Sequence, residues 1–473
     1  MPVHQAPAQP TGQTQPTSQA LPTRHTCQTQ TTSQALPTRH TSQPHRRSVP
    51  ATAIFGLAAA GLLAVLWLWW TGQPGADVAA GHHQNLTRLS GLLAGYSIIW
   101  LTCLITRPPV LERSLGSHRL TTWHRRLGTG ALALTAVHLV SLEGHPATWT
   151  MGLAHVAAGA MALLAVTNLP VVRHRLPYTT WHAAHWLGYC LLWLGLFHQL
   201  AQGSDLARHP LIAAAWVCGF GAGLVGLLYS RLIRPLTISR RHRLRVARVV
   251  QEAPNVVSVY LTGQGLAGLA AQAGQYCRWR FLAPGLWGST NPYSLSALPD
   301  GRQLRITVAQ VGGHSRRLSL LRAGTPVLME GPYGTITADC FTRPRAVLVA
   351  GGSGIGPVLA LAQALVAAGQ SVTVIYRSRG PGRPVLGTDL DQLAGSSPTG
   401  TGEPLPQVQV HYLVGPRTDP ANALTAERLI TLAPGLDEAS VFICGSPGFT
   451  ATVRQAALAA GLPRAHLLSE SFG

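Results

Sequence analysis

The sequence predicts a membrane α plus α/β protein. It would place six helices in a bilayer, followed by a small antiparallel β-barrel and a doubly wound domain. Three observations carry this reading. Charged residues make up only 11% of the 473, hydrophobic ones 46%, and 12 are Trp, a balance low in charge for a soluble chain of this size. Six apolar stretches fill residues 51–232, each near the ~20 residues that cross a bilayer as a helix. Past Arg243 the pattern turns to short β-branched runs and then to alternating strands and helices. The length allows about three domains.

The chain opens with residues 1–48, rich in Thr, Gln, Pro and Ser, in which TSQALPTRHT occurs at 17–26 and again at 32–41. Two copies are too few for a solenoid, and the composition cannot bury a core. A disordered tail is expected, its His25, His40 and His45 solvated.

The apolar stretches lie at about 51–70, 87–106, 127–143, 150–169, 182–200 and 211–232. The first ends LWLWW rather than in a small-residue cleavage site, so it reads as a retained helix with an interfacial Trp belt. The formal charge is +20, and every strong cation is Arg. These arginines form short clusters beside apolar runs rather than one block. That pattern points to a lipid bilayer and away from nucleic acid. They crowd 107–126, Arg173–Arg175 and 231–243, with Arg46 and Arg47 before the first stretch, while the alternate loops hold almost none, Arg88 lying near one and Arg208 in the last. The positive-inside rule then puts both termini in the cytoplasm of a multi-pass cell-membrane protein. The seven Cys include no CxxC, which argues against zinc, an iron–sulfur cluster or a disulfide framework.

Histidines mark the third and fifth stretches. His124 and His138 are fourteen residues apart, a rise of ~21 Å on nearly one face. His185 and His198 are thirteen apart, a rise of ~20 Å. The two helices run in the same direction, so His124 is level with His185 and His138 with His198. One imidazole on each side at two depths describes two bis-histidine haems stacked across the membrane. Ionisable groups inside a bilayer are costly and rare, so four at two matched depths imply a task. An ideal helix would turn His198 about 220° from His185. A kink or π-bulge is therefore required, or His182 is the inner ligand.

Six helices with these two His pairs, together with WHRRLG and the phrase ending HQL, resemble the ferric reductase and NADPH oxidase superfamily over about 50–473. The resemblance implies two b-type haems on the metal ligands His124, His138, His185 and His198, and it selects His185 over His182.

Later motifs fit the same family. NPYSLS, with Asn291, Pro292, Tyr293 and Ser294, resembles the flavin motif RxYS of ferredoxin–NADP reductases. The resemblance implies FAD, with Tyr293 against the isoalloxazine ring and Ser294 at its N5 edge. Asn291 stands where Arg is usual, so the pyrophosphate charge falls to amides at Gly312, Gly313 and Ser315 of GGHS, or to Arg280 or Arg316. EGPYG, with Gly331, matches the family's turn leading out of the barrel.

GGSGIGP, with Gly351, Gly352, Gly354, Gly356 and Pro357, ends an apolar strand and opens a helix. Glycines let the backbone approach a pyrophosphate, and the helix N-terminus supplies amide donors. The next strand ends in Arg377, Ser378 and Arg379. These suit a 2′-phosphate better than the bare ribose of NAD, which favours NADPH over NADH. FICGSPG resembles the family's CGxP element. That implies Cys444 and Gly445 beside the nicotinamide, Phe472 over the flavin and Glu470 nearby.

The expected domains are the tail at 1–48, a six-helix transmembrane haem bundle at 49–236, an antiparallel FAD-binding β-barrel at 240–341 and a doubly wound nucleotide-binding domain at 342–473. The expected activity carries electrons from NADPH through FAD and two haems to an outside acceptor, a ferric chelate before oxygen. A haem-free, membrane-anchored FAD diaphorase and a non-catalytic scaffold are the competing readings. No EF-hand pattern is present.

Overall fold

The protein is described by a computed structural model over residues 50–72, 78–141, 149–380, 382–395, 407–416 and 419–472. The expected tail 1–48, with His25, His40, His45 and Cys27, lies outside the described residues, as do His145 and nearly all of the loop 143–149.

The apolar half folds as helices. In order they are α1 (Ala51–Thr71), α2 (Val78–Thr106), the short α3 (Pro109–Leu115), α4 (Ser117–Val140), α5 (Trp149–Asn168) and the short α6 (Pro170–Arg175). α7 (Tyr178–His185), α8 (Leu187–Gln202), the short α9 (Ser204–Arg208), α10 (Pro210–Leu228) and α11 (Arg234–His242) follow. Proline stands in the first turn of α3, α6, α10 and α11, where its missing N–H costs nothing. Among the described residues, four helical segments are long and apolar enough to cross a membrane: Ala51–Thr71, His83–Thr106, Met151–Asn168 and Pro210–His242. Val65, Leu68, Leu92, Leu196, Trp216 and Phe220 form the core between α1, α2, α8 and α10.

Three features add to the sequence expectation. α2 and α4 begin nine to ten residues before the apolar stretches do. Arg88 lies within α2. Its Nε donates to Asp205 Oδ2 at 2.9 Å, and Asp205 is 5% exposed, so the pair neutralises itself where neither charge could stand alone. The fifth stretch is broken at Trp186. There the Trp186 N–H bonds the Ala183 carbonyl and the Tyr189 N–H bonds the Trp186 carbonyl, a tightened 3₁₀-type turn. α10 runs into α11 through a π turn at Tyr229–Ile233.

The expected barrel is two three-stranded antiparallel sheets over a common core. One has the order β1 (Arg245–Ala253), β2 (Val256–Thr262), β5 (Gln303–Ala309). The other has the order β4 (Asn291–Ser294), β3 (Tyr276–Phe281), β6 (Val327–Tyr333). Single bridges, Arg245 to Pro326 and Leu295 to Ile306, join them. They do not close, because β4 is four residues long and its Pro292 has no N–H for a ladder. Val259, Trp279, Phe281, Ile306 and Met329 fill the space between the sheets. EGPYG is not the expected turn, since Glu330 to Tyr333 complete β6. α12 (Gly313–Arg317) follows β5.

The last part is a five-stranded parallel sheet in the order β11 (Leu467–Ser471), β10 (Ser440–Gly445), β7 (Arg345–Gly351), β8 (Ser371–Ser378), β9 (Val408–Val414). α13 (Ile355–Ala367), α14 (Gly387–Gly395), α15 (Ala426–Leu432) and α16 (Pro447–Ala459) accompany it. β7 and β10 are almost wholly apolar and buried, as strands covered on both faces must be. The chain steps from β7 outward to β9 and then returns to β10 on the other side. That reversal makes a switch point between β7 and β10, where a crevice opens at the strands' carboxyl ends.

Candidate functional site: two histidine pairs and a nucleotide crevice

His124 and His185 face each other with ring centres 6.3 Å apart and planes crossed at 70°. His138 and His198 do so at 6.2 Å and 73°. The break at Trp186 re-phases the helix between His185 and His198, so both meet α4. His182 lies elsewhere, edge-on to Trp186 with centres 6.0 Å apart.

The pairs suit a metal held between them. Two metal–imidazole bonds of about 2.0 Å, with half a ring beyond each, span about 6 Å. His124 Nδ1 lies 3.1 Å from the Leu101 carbonyl oxygen, and His138 Nδ1 lies 2.8 Å from that of Thr87. A carbonyl only accepts, so each Nδ1 carries the proton and each Nε2 keeps its lone pair for a metal. Both carbonyls belong to α2. Gly91 on the same helix makes room, since a Cβ there would stand 3.0 Å from His138 Cε1 and Nδ1. Among the described residues no cluster of three or more His, Cys, Asp or Glu could hold a metal; a porphyrin iron, whose macrocycle supplies its other ligands, needs no such cluster.

At the flavin motif, Tyr293 is half-buried with its hydroxyl 3.4 Å from His314 Nδ1, and burial pushes that phenol up to about 12. Trp279 Nε1 donates to the Tyr293 carbonyl at 3.1 Å. Ser294 pairs across the sheet with Tyr276. The Gly312 amide is not open to a phosphate, because it donates to Ser315 Oγ at 3.0 Å. Arg280 donates to Thr290 Oγ1 at 3.0 Å and lines a small cavity with Arg231, Leu236 and Glu330. Gly331 lies in β6, directly after Glu330.

The nucleotide turn sits at the switch point. Gly351 closes β7 and backs onto the Phe449 ring, Gly352 takes φ +58, and Gly354 presses on the Cys444 carbonyl. Gly356 lies against Ser296, where a Cβ would come within 3.3 Å, so the turn touches the strand end leaving the flavin motif. Pro357 is buried in the first turn of α13. Arg377 and Ser378 end β8, and Arg379 follows, exposed. Cys444 is buried opposite Glu470 in the β10–β11 pair. The Phe472 N–H donates to the Gly445 carbonyl at 2.9 Å. Burial raises Glu470 to about 7, and burial, then the Glu470 charge, raises the Cys444 thiol. The fold thus gathers 351–357, 444–445 and 470–472 at one crevice.

Sequence reasoning gave no role to Ser296, the last residue of NPYSLS, or to Phe449. It read Arg107 and Arg231 only as membrane-flanking charge.

Residues 90–196 match the family described as ferric reductase like transmembrane component. The flavohemoprotein of Deinococcus radiodurans is 30% identical over 289 residues, covering 56% of this chain and 70% of that protein. The flavohemoprotein of Pseudomonas putida is 29% identical over 287 residues, covering 57% and 70%. The solved flavohem-like FAD/NAD binding domain of nitric oxide dioxygenase from Vibrio cholerae is 24% identical. It covers 49% of this chain and 98% of that one with a TM-score of 0.39. Residues 90–196 are thus similar to the ferric-reductase-like transmembrane component, and the chain joins that segment to a reductase unit similar to that of the flavohemoproteins.

Proposed function

We propose that this membrane oxidoreductase takes electrons from cytoplasmic NADPH and delivers them, through FAD and two b-type haems, to an acceptor outside the membrane. A ferric chelate is the favoured acceptor. The protein is an NAD(P)H-dependent flavin oxidoreductase of the membrane. Under this reading residues 49–236 form a six-span bundle with both termini cytoplasmic, 240–341 hold the flavin and 342–473 hold the nicotinamide. The observation that carries the proposal is the pair of facing imidazoles at each of two depths, with centres 6.3 and 6.2 Å apart.

His124 and His185 would hold the inner haem, His138 and His198 the outer one. The Leu101 and Thr87 carbonyls fix the tautomers of His124 and His138 in which Nε2 carries the lone pair. Gly351 to Pro357 would receive the pyrophosphate on backbone amides, and Arg377, Ser378 and Arg379 the 2′-phosphate. Tyr293 and Ser294 would orient the flavin, with Asn291, Pro292, Gly312, Gly313, Ser315 and Gly331 around it. Cys444 and Gly445 shape the nicotinamide floor, Phe472 screens the flavin face, and Glu470 holds or releases a proton beside them. When bound, the flavin supplies the conversion of one hydride into single electrons, which haem iron needs. With His124, His185, His138 and His198 holding the irons, oxygen would find no ready ligand position, which favours a ferric chelate as the acceptor.

The test is a redox spectrum of the purified protein, followed by anaerobic NADPH turnover with ferric chelates and, separately, turnover with oxygen. A Soret band bleached by NADPH, with faster chelate than oxygen reduction, is expected. Flavin without a Soret band would leave a diaphorase, neither cofactor would leave a scaffold, and superoxide as main product would make it an oxidase.

A further inference from the structure

Two irregular backbone positions present arginines at one place, the inner end of the helices where they meet the flavin-binding sheets. Arg107, just past α2, takes φ +49, a left-handed conformation that a residue with a Cβ rarely adopts. Arg231 lies inside the π turn Tyr229–Ile233, and such turns concentrate at functional sites. Both departures aim a guanidinium out of a helix and into the sheet.

Each arginine touches both sides of the junction. Arg107 Nη1 donates to the Tyr276 hydroxyl at 2.8 Å and Nη2 to Thr121 Oγ1 at 3.0 Å. Thr121 lies three residues before His124. Tyr276 pairs with Ser294 on one side and Tyr333 on the other, and the rings of Tyr276 and Tyr333 are 5.7 Å apart. Arg231 Nη1 donates to Glu330 Oε2 at 2.8 Å and Nη2 to the Ile105 carbonyl at 3.0 Å. Ile105 is one helical turn beyond Leu101, whose carbonyl holds His124. Glu330 is 4% exposed and also takes Arg278 Nη1 at 3.1 Å. Two short chains of contacts therefore run from the strands of the flavin site to the inner histidine.

The geometry points to Arg107 and Arg231 as positioning residues that fix the flavin-bearing sheet against the inner His124–His185 level and so set the gap an electron crosses. This rests on the proposed electron route. The arginines exchange no atom or proton; each electron that leaves the reduced flavin is taken up by one ferric iron, one for one. A partly buried, two-point clamp suits this task better than a lone surface ion pair, which holds little.

The test uses the holoprotein in lipid nanodiscs with Tyr276→Phe, Glu330→Gln and the double substitution. NADPH-driven flavin reduction and the subsequent haem reduction are followed separately by stopped flow. Amide hydrogen exchange of segments 101–107 and 228–234 is measured on the cofactor-free protein. Flavin reduction should stay within about twofold in all three, while haem reduction slows roughly tenfold in each single variant, since ångström-scale misplacement is enough for such losses. Exchange should rise in both segments. Haem reduction at the wild-type rate in the double variant, or equal slowing of the flavin and haem steps, would overturn the inference. A wild-type protein that shows no haem band would instead sink the electron route itself.

Discussion

His138 and His198 come from helices that never adjoin in sequence, yet their rings meet with centres 6.2 Å apart and planes crossed at 73°. Removing one of them tests the route most directly. His138→Ala should abolish electron delivery to an external acceptor and remove about half of the haem absorbance, since one of the two proposed haem sites would lose a histidine. NADPH-dependent flavin reduction should persist. Retained delivery across sealed vesicles would refute the outer site.

Gly91 offers a gentler probe of the same level. A methyl group there would stand 3.0 Å from the His138 ring, closer than packed atoms sit comfortably. Gly91→Ala should shift the midpoint potential of the outer haem and leave the inner one in place. The check is a spectroelectrochemical titration resolving two components, and an unchanged pair of potentials would count against His138 as the outer ligand.

Glu470 should govern the pH dependence of hydride delivery. Its carboxyl is raised from 4.5 to about 7 by burial, so the folded protein holds a proton that the unfolded chain has already released. Stability should therefore fall as pH rises from about 4.5 to about 7 and be flat on either side. NADPH-driven flavin reduction should show an inflection near pH 7, and Glu470→Gln should remove both effects. A profile with the same inflection in the variant would assign it to another group.

Arg379 tests the nucleotide choice. It is exposed at the end of β8, free to meet a 2′-phosphate. Arg379→Ala should raise the KM for NADPH about tenfold, the scale of one charge-assisted hydrogen bond, and leave that for NADH unchanged. Parallel steady-state curves with the two nucleotides decide it; equal effects on both would show that the arginine does not read the phosphate.

The depth of each histidine was legible because helical rise is nearly constant, so fourteen and thirteen residues fix two levels without any structure. Their facing was not. Trp186 carries no breaker signal, and the turn that re-phases the helix comes from packing. The parallel sheet was readable from VLVA and VFIC, whose unbroken apolar runs suit strands covered on both faces. β11 escaped notice because LLSES lacks such a run and gains its order from β10. By charge alone Arg107 and Arg231 read only as membrane-flanking residues. Their partners Tyr276 and Glu330, 169 and 99 residues away, could not be seen. The expected amide at Gly312 failed locally, because Ser315 three residues on captures it.

The tightened turn at Trp186 has a bearing on chain length. A single residue lost or gained between 187 and 197 would shift His198 by about 1.5 Å along the axis and swing it about 100° around it. It would then no longer meet His138. Insertions and deletions are tolerable in the loops that flank this span but not within it, so the eleven positions between the break and His198 act as a ruler whose count, more than its composition, must be preserved.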